Sequence, residues 1–503
     1  MRKYYYLILG VCLCCLLFSS CENEQLQITT SSPEARQLFH QGVVLADKFL
    51  EDEAIDKFMA AIQLDTTFAM AYYYLSRTYE SAGKLSEARQ AIQKAKQFSG
   101  TTTPLEWIYI NGWEKILNNN FAGAMKVYQQ TIKDYSNDQH ILFIVGKTHR
   151  LMKNYPESVT VLKKLIKKNP DYAPAYNQLG YTYYEMGDYE QAVAMLQQYA
   201  SMEPDQPNPF DSLGDMYRSL GDYQSAIQNY QQALEIKPDF YASIRNLGLT
   251  YLEIGDYQNA QITYDGFLKS EPPREWRRDI FLDRVQLNIA LGKYNEALKC
   301  CDQAIELSKN NFRKSYAIAT KGYIFYLKNR PNEALTQLNA SLTVLPEAIW
   351  AHEWKGCVYV KQKKFEQALA QADKMKSLID NFGQTGYLAN YYALLGNVAM
   401  EQELYDEAIL YFSDSQKYEK HSHLYPMALV YYKKGDYKNA FEFTDQLLST
   451  NPNHALTHYL RAQLFEKQKQ TKQAKEEYRK FLSVWKNADY DLPEVRNALN
   501  RIS

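Results

Sequence analysis

The sequence predicts an all-α fold: a superhelical solenoid of about thirteen helical hairpins ended by a short capping helix. Three observations carry that expectation. Between residues 139 and 272 a 34-residue cycle runs four times without insertion, with Gly146, Gly180, Gly214 and Gly248 in one column and Ser158, Ala192, Ala226 and Ala260 in a second. Within a cycle apolar residues recur at helical spacing, as in Tyr176, Leu179, Gly180 and Tyr183, and again in Ala192, Leu196 and Tyr199. Gly187-Asp188-Tyr189 breaks the helix between the two runs, and Pro170, Pro204, Pro238 and Pro272 close each cycle. A pair of helices of this size buries its apolar faces only against neighbouring pairs, and this forces stacking. Small residues in the Gly and Ala columns suit helix axes that cross closely.

At the start of the chain, Arg2-Lys3 precedes an apolar run from Tyr5 to Phe18, and Phe18-Ser19-Ser20 leads to Cys21. Residues 1–20 resemble a bacterial lipoprotein signal peptide, with Phe18 where that family usually has leucine. The resemblance implies cleavage before Cys21, acylation of its sulfur and a membrane association through lipid. At about 0.8 kcal/mol per buried CH₂, two or three acyl chains anchor stably where one is marginal. An ordinary signal peptide or an uncleaved anchor is the plainer alternative, and every version exports the chain. Residues 21–33, polar and without helical period, read as a lipidated tether.

From Glu34 the cycle continues almost to the end. Gly42, Ala54 and Phe58 mark a first repeat, Tyr72, Leu75, Tyr79 and Ala88 a second, and Gly112, Ala124 and Tyr128 a third after a short insertion. The four regular repeats follow, giving seven over 34–272. Pro272-Pro273 then shifts the phase, and Gly292, Gly322 and Gly356 mark repeats eight to ten over 273–380. A second shift near Asp380 precedes repeats eleven to thirteen over 381–492, marked by Gly396, Gly435 and Ala474. Residues 493–503 begin with proline and read as a helix capping the last apolar face. No stretch remains for a separate catalytic domain.

With aromatic, Leu-Gly, Tyr, Ala and Pro at these offsets over hundreds of residues, the chain resembles the tetratricopeptide repeat (TPR) family. The resemblance implies that the first helices line a concave groove for peptide or protein partners. Carried over column by column, the groove residues are Tyr73, Arg77, Phe143, Lys147 and Arg150, then Asn177, Tyr181, Tyr184, Asp211, Asp215, Arg218 and Arg245. Tyr316, Tyr323, Tyr326, Trp350, Glu353, Tyr425, Tyr432 and Tyr459 follow in the later repeats. Rigid rings with a scattering of Arg have the composition of binding hot spots. Two ligand classes of the family are not transferred. The cochaperone carboxylate clamp needs Lys and Asn where Asn177 and Tyr181 stand, and the asparagine ladder of TPR glycosyltransferases is broken by Gln178 and Ser212.

Composition and motifs exclude much else. The 57 Lys+Arg nearly balance 58 Asp+Glu, so no electrostatic case exists for nucleic acid. The sequence has no GxxxxGK[ST], GxGxxG or GxSxG. His352-Glu353 opens like a zincin motif, but Gly356 occupies the place of the second histidine, and neither His454/His458 nor His421/His423 has a completing ligand set. No cofactor, metal or catalytic residue is expected. Cys300, Cys301 and Cys357 are expected as reduced thiols near the core. The expected function is a membrane-anchored adaptor that binds partner proteins or peptides in its groove for assembly of a cell-envelope complex. The alternative is a surface lipoprotein that captures glycan or nutrient on a TPR-like scaffold, with the tyrosines and Trp350 stacking on sugar rings.

Overall fold

The computed structural model describes residues 28–48, 50–82, 84–132, 138–382, 385–418 and 423–503. Residues 1–20, expected to be a signal peptide, and Cys21 lie outside these. Of the described residues 81% are helical, and they form 27 α-helices and no strand. Twenty-six of the helices follow one another as thirteen pairs, from Pro33–Asp47 with Glu51–Leu64 to Ala455–Lys467 with Thr471–Val484, and Pro493–Ile502 ends the chain. The all-α solenoid predicted from the repeat is the fold observed.

The small columns do what close crossing requires. In most hairpins the glycine of the first helix faces the residue sixteen positions later in the second. A Cβ on Gly112 would lie 2.3 Å from the Tyr128 ring, on Gly180 2.9 Å from Leu196, and on Gly248 2.3 Å from the Tyr264 ring. Ala192, Ala226 and Ala260 are fully buried opposite, and Ser158 meets its burial cost by donating to the Gly146 carbonyl at 2.8 Å. The Gly-Asp-Tyr turns work by paired capping. Gly187, Gly221 and Gly435 take φ of 81° to 85° to end one helix, and Asp188, Asp222 and Asp436 then accept an amide of the next, from Gln191, Ser225 and Asn439.

Two compact units divide the chain, Met1–Met216 and Tyr217–Ser503. Within each, first helices pack on the first helix of the next hairpin, and among the described residues second helices show no comparable packing. First helices therefore line the inside of each unit's curve.

In the first unit the segment before the first helix is bound to the fold, where the sequence reading made all of 21–33 a tether. Ile28 is buried, and the Thr29 amide and hydroxyl both donate to the Glu106 carboxylate at 2.7 Å. Thr30 donates to Asp65 at 2.6 Å, and Arg36 reaches the Thr30 carbonyl at 3.1 Å. Glu106 also accepts the Thr103 amide as half of a capping box. Polar composition hid this docking, because it consists of polar bonds rather than apolar periodicity.

The second unit closes on itself. Trp485 donates from Nε1 to the Ala290 carbonyl at 2.8 Å, and the Asp489 amide donates to the Gly292 carbonyl at 3.0 Å. The Asp489 carboxylate takes the Asn295 amide at 3.1 Å, capping helix Tyr294–Leu307 from 194 residues away, and pairs with Lys328 at 2.8 Å. One hairpin earlier, Asn453 donates to the Gly255 carbonyl at 3.0 Å and Asn451 to the Tyr257 hydroxyl at 3.2 Å. Val285, Tyr294, Cys301, Phe481, Trp485, Leu492 and Ala498 share one buried cluster. Helix Pro493–Ile502 packs on Thr471–Val484, and the segment leading into it seals the eighth hairpin as well.

Candidate partner-binding surfaces

In the first unit, the first helices of hairpins two to five bring together Tyr73, Arg77, Lys147, Arg150, Asn177, Tyr181 and Tyr184. Helix Ala69–Ser81 buries Tyr73 against Tyr74 and Tyr109, with ring centroids 5.2 and 5.8 Å apart, so this tyrosine is packing material rather than open surface. Arg77 lies over the rings of Tyr73 and Tyr74 at 5.7 and 5.3 Å, a cation held by aromatic faces. Lys147 sits 5.7 Å from the Trp113 ring and 3.9 Å from Glu80, and burial lowers its pKa although Glu80 pulls the other way. Burial likewise keeps the His140 imidazole below its ordinary value and the Asp47 carboxyl above it, in the same electrostatic neighbourhood as Arg77. Asn177 is buried, and among the described residues its Oδ1 has no hydrogen-bond partner. The half-buried Tyr181 phenol has its pKa raised, first by burial and then by Asp215. Tyr184 rests on Tyr189 at 5.7 Å.

Three of the expected groove arginines are already engaged. Arg150 pairs with Glu185, Arg218 forms a two-pronged bond with Glu253, and in the second unit Arg245 holds Asp283 at 2.7 and 3.0 Å. Burial still keeps the Asp283 carboxyl above its usual range despite that bond. These pairs tie each first helix to the next. Their common signal is in the sequence, for Arg150/Glu185 and Arg218/Glu253 both stand 35 residues apart, one cycle plus one position.

In the second unit the ninth and tenth hairpins build an aromatic ladder. Tyr323 stacks on Tyr326 at 5.9 Å and 23° and on Trp354 at 5.2 Å and 25°. Lys361 lies 5.0 Å from the Tyr326 ring. Its pKa is lowered by burial, and the nearby Glu494 charge opposes this. Burial raises the phenols of Tyr323 and Tyr326. Trp354 and Lys361 escaped the sequence reading because they sit one position beyond the columns used for it. Trp350, by contrast, is 5% exposed, wedged between Phe312 at 4.8 Å and Tyr316 at 5.6 Å. It offers no free face for a sugar. Tyr459 is likewise half-buried against Tyr478 and Phe481.

The remaining chemical candidates fill structural roles. His458 is buried between the Glu477 carboxylate at 2.6 Å and the Pro452 carbonyl at 2.8 Å. His454 caps helix Ala455–Lys467 by accepting from Thr457. His352 bonds Gln371, and His421 lies outside the described residues. Among the described residues no three His, Cys, Asp or Glu side chains are grouped to hold a metal, and no helix is long and apolar enough to cross a membrane. Cys300 and Cys301 are buried, Cys357 partly so, and burial holds all three thiols above their ordinary pKa, which suppresses thiolate reactivity.

Comparison with known proteins agrees with the repeat pattern. Tetratricopeptide repeat models match residues 149–213, 214–255 and 279–311, and a model of anaphase-promoting complex, cyclosome, subunit 3 matches 401–481. Over 166 residues, 32% of this chain, the sequence is 24% identical to a TPR repeat-containing protein of Methanocaldococcus jannaschii, and the match spans 28% of that relative's length. Similar solved structures include the APC/C hetero-tetramer Cut9–Hcn1, with a TM-score of 0.37 and 12% identity over 93% of this chain and 96% of that one. Another is a tetratricopeptide repeat protein from Parabacteroides merdae, with a TM-score of 0.39 and 21% identity over 49% of this chain and 93% of that one.

Proposed function

As the chain is a tetratricopeptide repeat protein, we propose that it is a lipid-anchored scaffold that holds partner proteins in a bacterial cell-envelope complex. Repeats of this kind make protein-interaction scaffolds, and here the activity is binding rather than catalysis. The observation that carries the reading is the lining of the inward first helices. Arg77 and Lys147 lie on aromatic faces in the first unit, and Tyr323, Trp354 and Lys361 form a stacked, cationic surface in the second. Rigid rings supply contact area at little entropic cost, and cations already held on ring faces add charge, as binding hot spots do.

The anchor is proposed from Cys21 and the signal-like segment before it. Because Ile28 is fixed to the first unit, seven residues of reach would remain, at most about 25 Å. Such a scaffold would ride close to the bilayer with its amino-terminal edge toward it.

The test has two arms. Mass spectrometry of the amino-terminal peptide from membranes should find acylated Cys21, and Cys21→Ser should release the chain from them. Capture from solubilised membranes should return proteins that an Arg77→Ala/Lys147→Ala/Tyr323→Ala/Trp354→Ala variant loses. Identical captures from both chains would refute binding on these faces, and glycan without protein would favour the capture alternative.

A further inference from the structure

The closure of the second unit is built by a chemically distinctive segment. Asp489-Tyr490-Asp491-Leu492-Pro493-Glu494 carries three carboxylates in six residues, and it lies against the unit's cations. Lys328 takes Asp489 at 2.8 Å and Asp491 at 3.9 Å, and the first pair is almost fully buried. The Glu494 carboxylate is near enough to Tyr294, Lys361, Tyr425 and Tyr459 to act on each electrostatically. Tyr294 opens the second helix of hairpin eight, and the other three lie on the first helices of hairpins ten, twelve and thirteen, so Glu494 stands within reach of three inward helices. Lys361 has Tyr326 for company, its Nζ 3.4 Å from the backbone carbonyl and over the ring.

Glycine usage shows that the sequence specifies this seat. The residue ending the first helix takes positive φ in hairpin after hairpin, and side chains tolerate it: Asn119, Lys153, Asn329 and Lys363 all sit at 57° to 60°. Gly187, Gly221 and Gly435 face open space at the same place. At Gly292 a Cβ would meet the Trp485 ring at 2.7 Å and Ala488 at 2.8 Å, and at Gly255 it would meet Asn451 Oδ1 at 2.1 Å. The bare backbone at 255 and 292 is therefore required by the returning chain.

We propose that the second unit's inner surface is a site for an extended acidic segment, that Asp489–Glu494 occupies it in cis, and that an external partner segment of the same chemistry takes its place. Lys328 reads the first two carboxylates of the segment, while Lys361, Tyr294, Tyr425 and Tyr459 lie within electrostatic reach of the third. The partner is thus a protein with an exposed, proline-interrupted acidic stretch, and it binds by competing with the scaffold's own terminus. This rests on the reading of the second unit's face as a partner surface. Capture of partners through the first unit is independent of it, so either can fail alone.

The test uses the full chain with Asp489→Asn, Asp491→Asn and Glu494→Gln, which neutralises the internal occupant at constant shape. The probe is a fluorescent peptide with the sequence of residues 486–497. It should bind the neutralised chain at least tenfold more tightly than the unaltered one, and adding Lys328→Met and Lys361→Met should remove that gain. Equal binding to both chains, or equal binding of a peptide with its three acids neutralised, overturns the proposal. If the neutralised chain does not fold, the unaltered chain decides. Excess peptide should make residues 485–503 cleavable by protease, and unchanged resistance overturns the proposal.

Discussion

A single methyl group added at two glycines of the seventh hairpin should change stability in opposite directions. Gly248 lies in helix Tyr241–Glu253 and faces Tyr264, whose Cε1, Cζ and Cδ1 would be 2.3, 2.8 and 3.0 Å from an added Cβ. The ring must retreat by about 1 Å to restore ordinary contact, but it is fully buried among Tyr257, Ala260, Phe267, Ile280 and Leu287. Overpacking of this severity costs about 3 kcal/mol. Alanine returns about 1 kcal/mol of helix propensity over glycine, leaving Gly248→Ala destabilised by about 2 kcal/mol. Gly266 is in the partner helix Tyr257–Lys269, is exposed, and would have nothing within 4 Å of a Cβ. Gly266→Ala therefore keeps the propensity gain alone, a stabilisation of about 1 kcal/mol. A repeat chain need not unfold in one step, so the assay is native-state hydrogen exchange of the seventh hairpin's amides, with urea unfolding followed by far-ultraviolet circular dichroism beside it. If both variants shift protection the same way, propensity governs the column and the close-crossing argument fails.

Three further outcomes are expected. Glu106→Gln removes one acceptor from a carboxylate that takes three bonds, and an unsatisfied buried donor costs about 1–3 kcal/mol, so residues 28–33 should become open to limited proteolysis that spares the parent. Gly292→Asn keeps an allowed backbone but collides with Trp485, so it should lower the melting temperature by several degrees while Gly187→Asn leaves it nearly unchanged; equal effects would mean that the returning chain does not impose glycine. Acid should loosen the thirteenth hairpin. Burial and then the neighbouring His458 hold His454 down to about 4, so between that value and the unfolded value near 6.5 the unfolded chain binds the extra proton, and stability present above 6.5 is lost as pH falls. His454→Asn, which can still cap, should flatten that dependence in intrinsic-rate-corrected exchange between pH 7 and 5.

The sequence revealed whatever repeats, because recurrence reports packing that every hairpin shares. Gly180, Ala192 and Leu196 recur in phase since each hairpin must bring two axes together at the same place. The groove columns were less legible. Position alone does not distinguish the half-buried Tyr181 from the buried Tyr73, and it leaves out that Arg218 has a neighbour one cycle ahead. Trp350 and Trp354 are four residues apart on one helix, yet one is core and the other stacks on the inner face, because Phe312 covers the first. Closure of the second unit left no periodic trace. Its glycines occupy a column where Gly187 and Gly221 have no partner, and its terminal segment belongs to no repeat.

That closure changes what kind of solenoid the second unit is. In an open stack each hairpin is stabilised by its two neighbours alone, so unfolding can begin at an end and propagate inward. Here the terminal segment is joined to hairpin eight by a buried indole and two backbone-directed bonds and to hairpin nine by an ion pair, and hairpin twelve reaches the turn of hairpin seven through Asn451 and Asn453. The carboxyl-terminal end, which in an open stack would be the weakest point, is tied to the middle of the chain. Fraying there must first break contacts separated by about 195 residues, so the loss of Asp489 or Trp485 should be felt at Ala290 and Asn295 as much as at the terminus. The same contacts lay the acidic segment along the turn of hairpin eight and the end of hairpin nine's first helix, with Glu494 beside Lys361, Tyr425 and Tyr459 of the inward helices. The element that secures the last hairpins is then also the element a partner must displace, and stability and access are set by the same bonds.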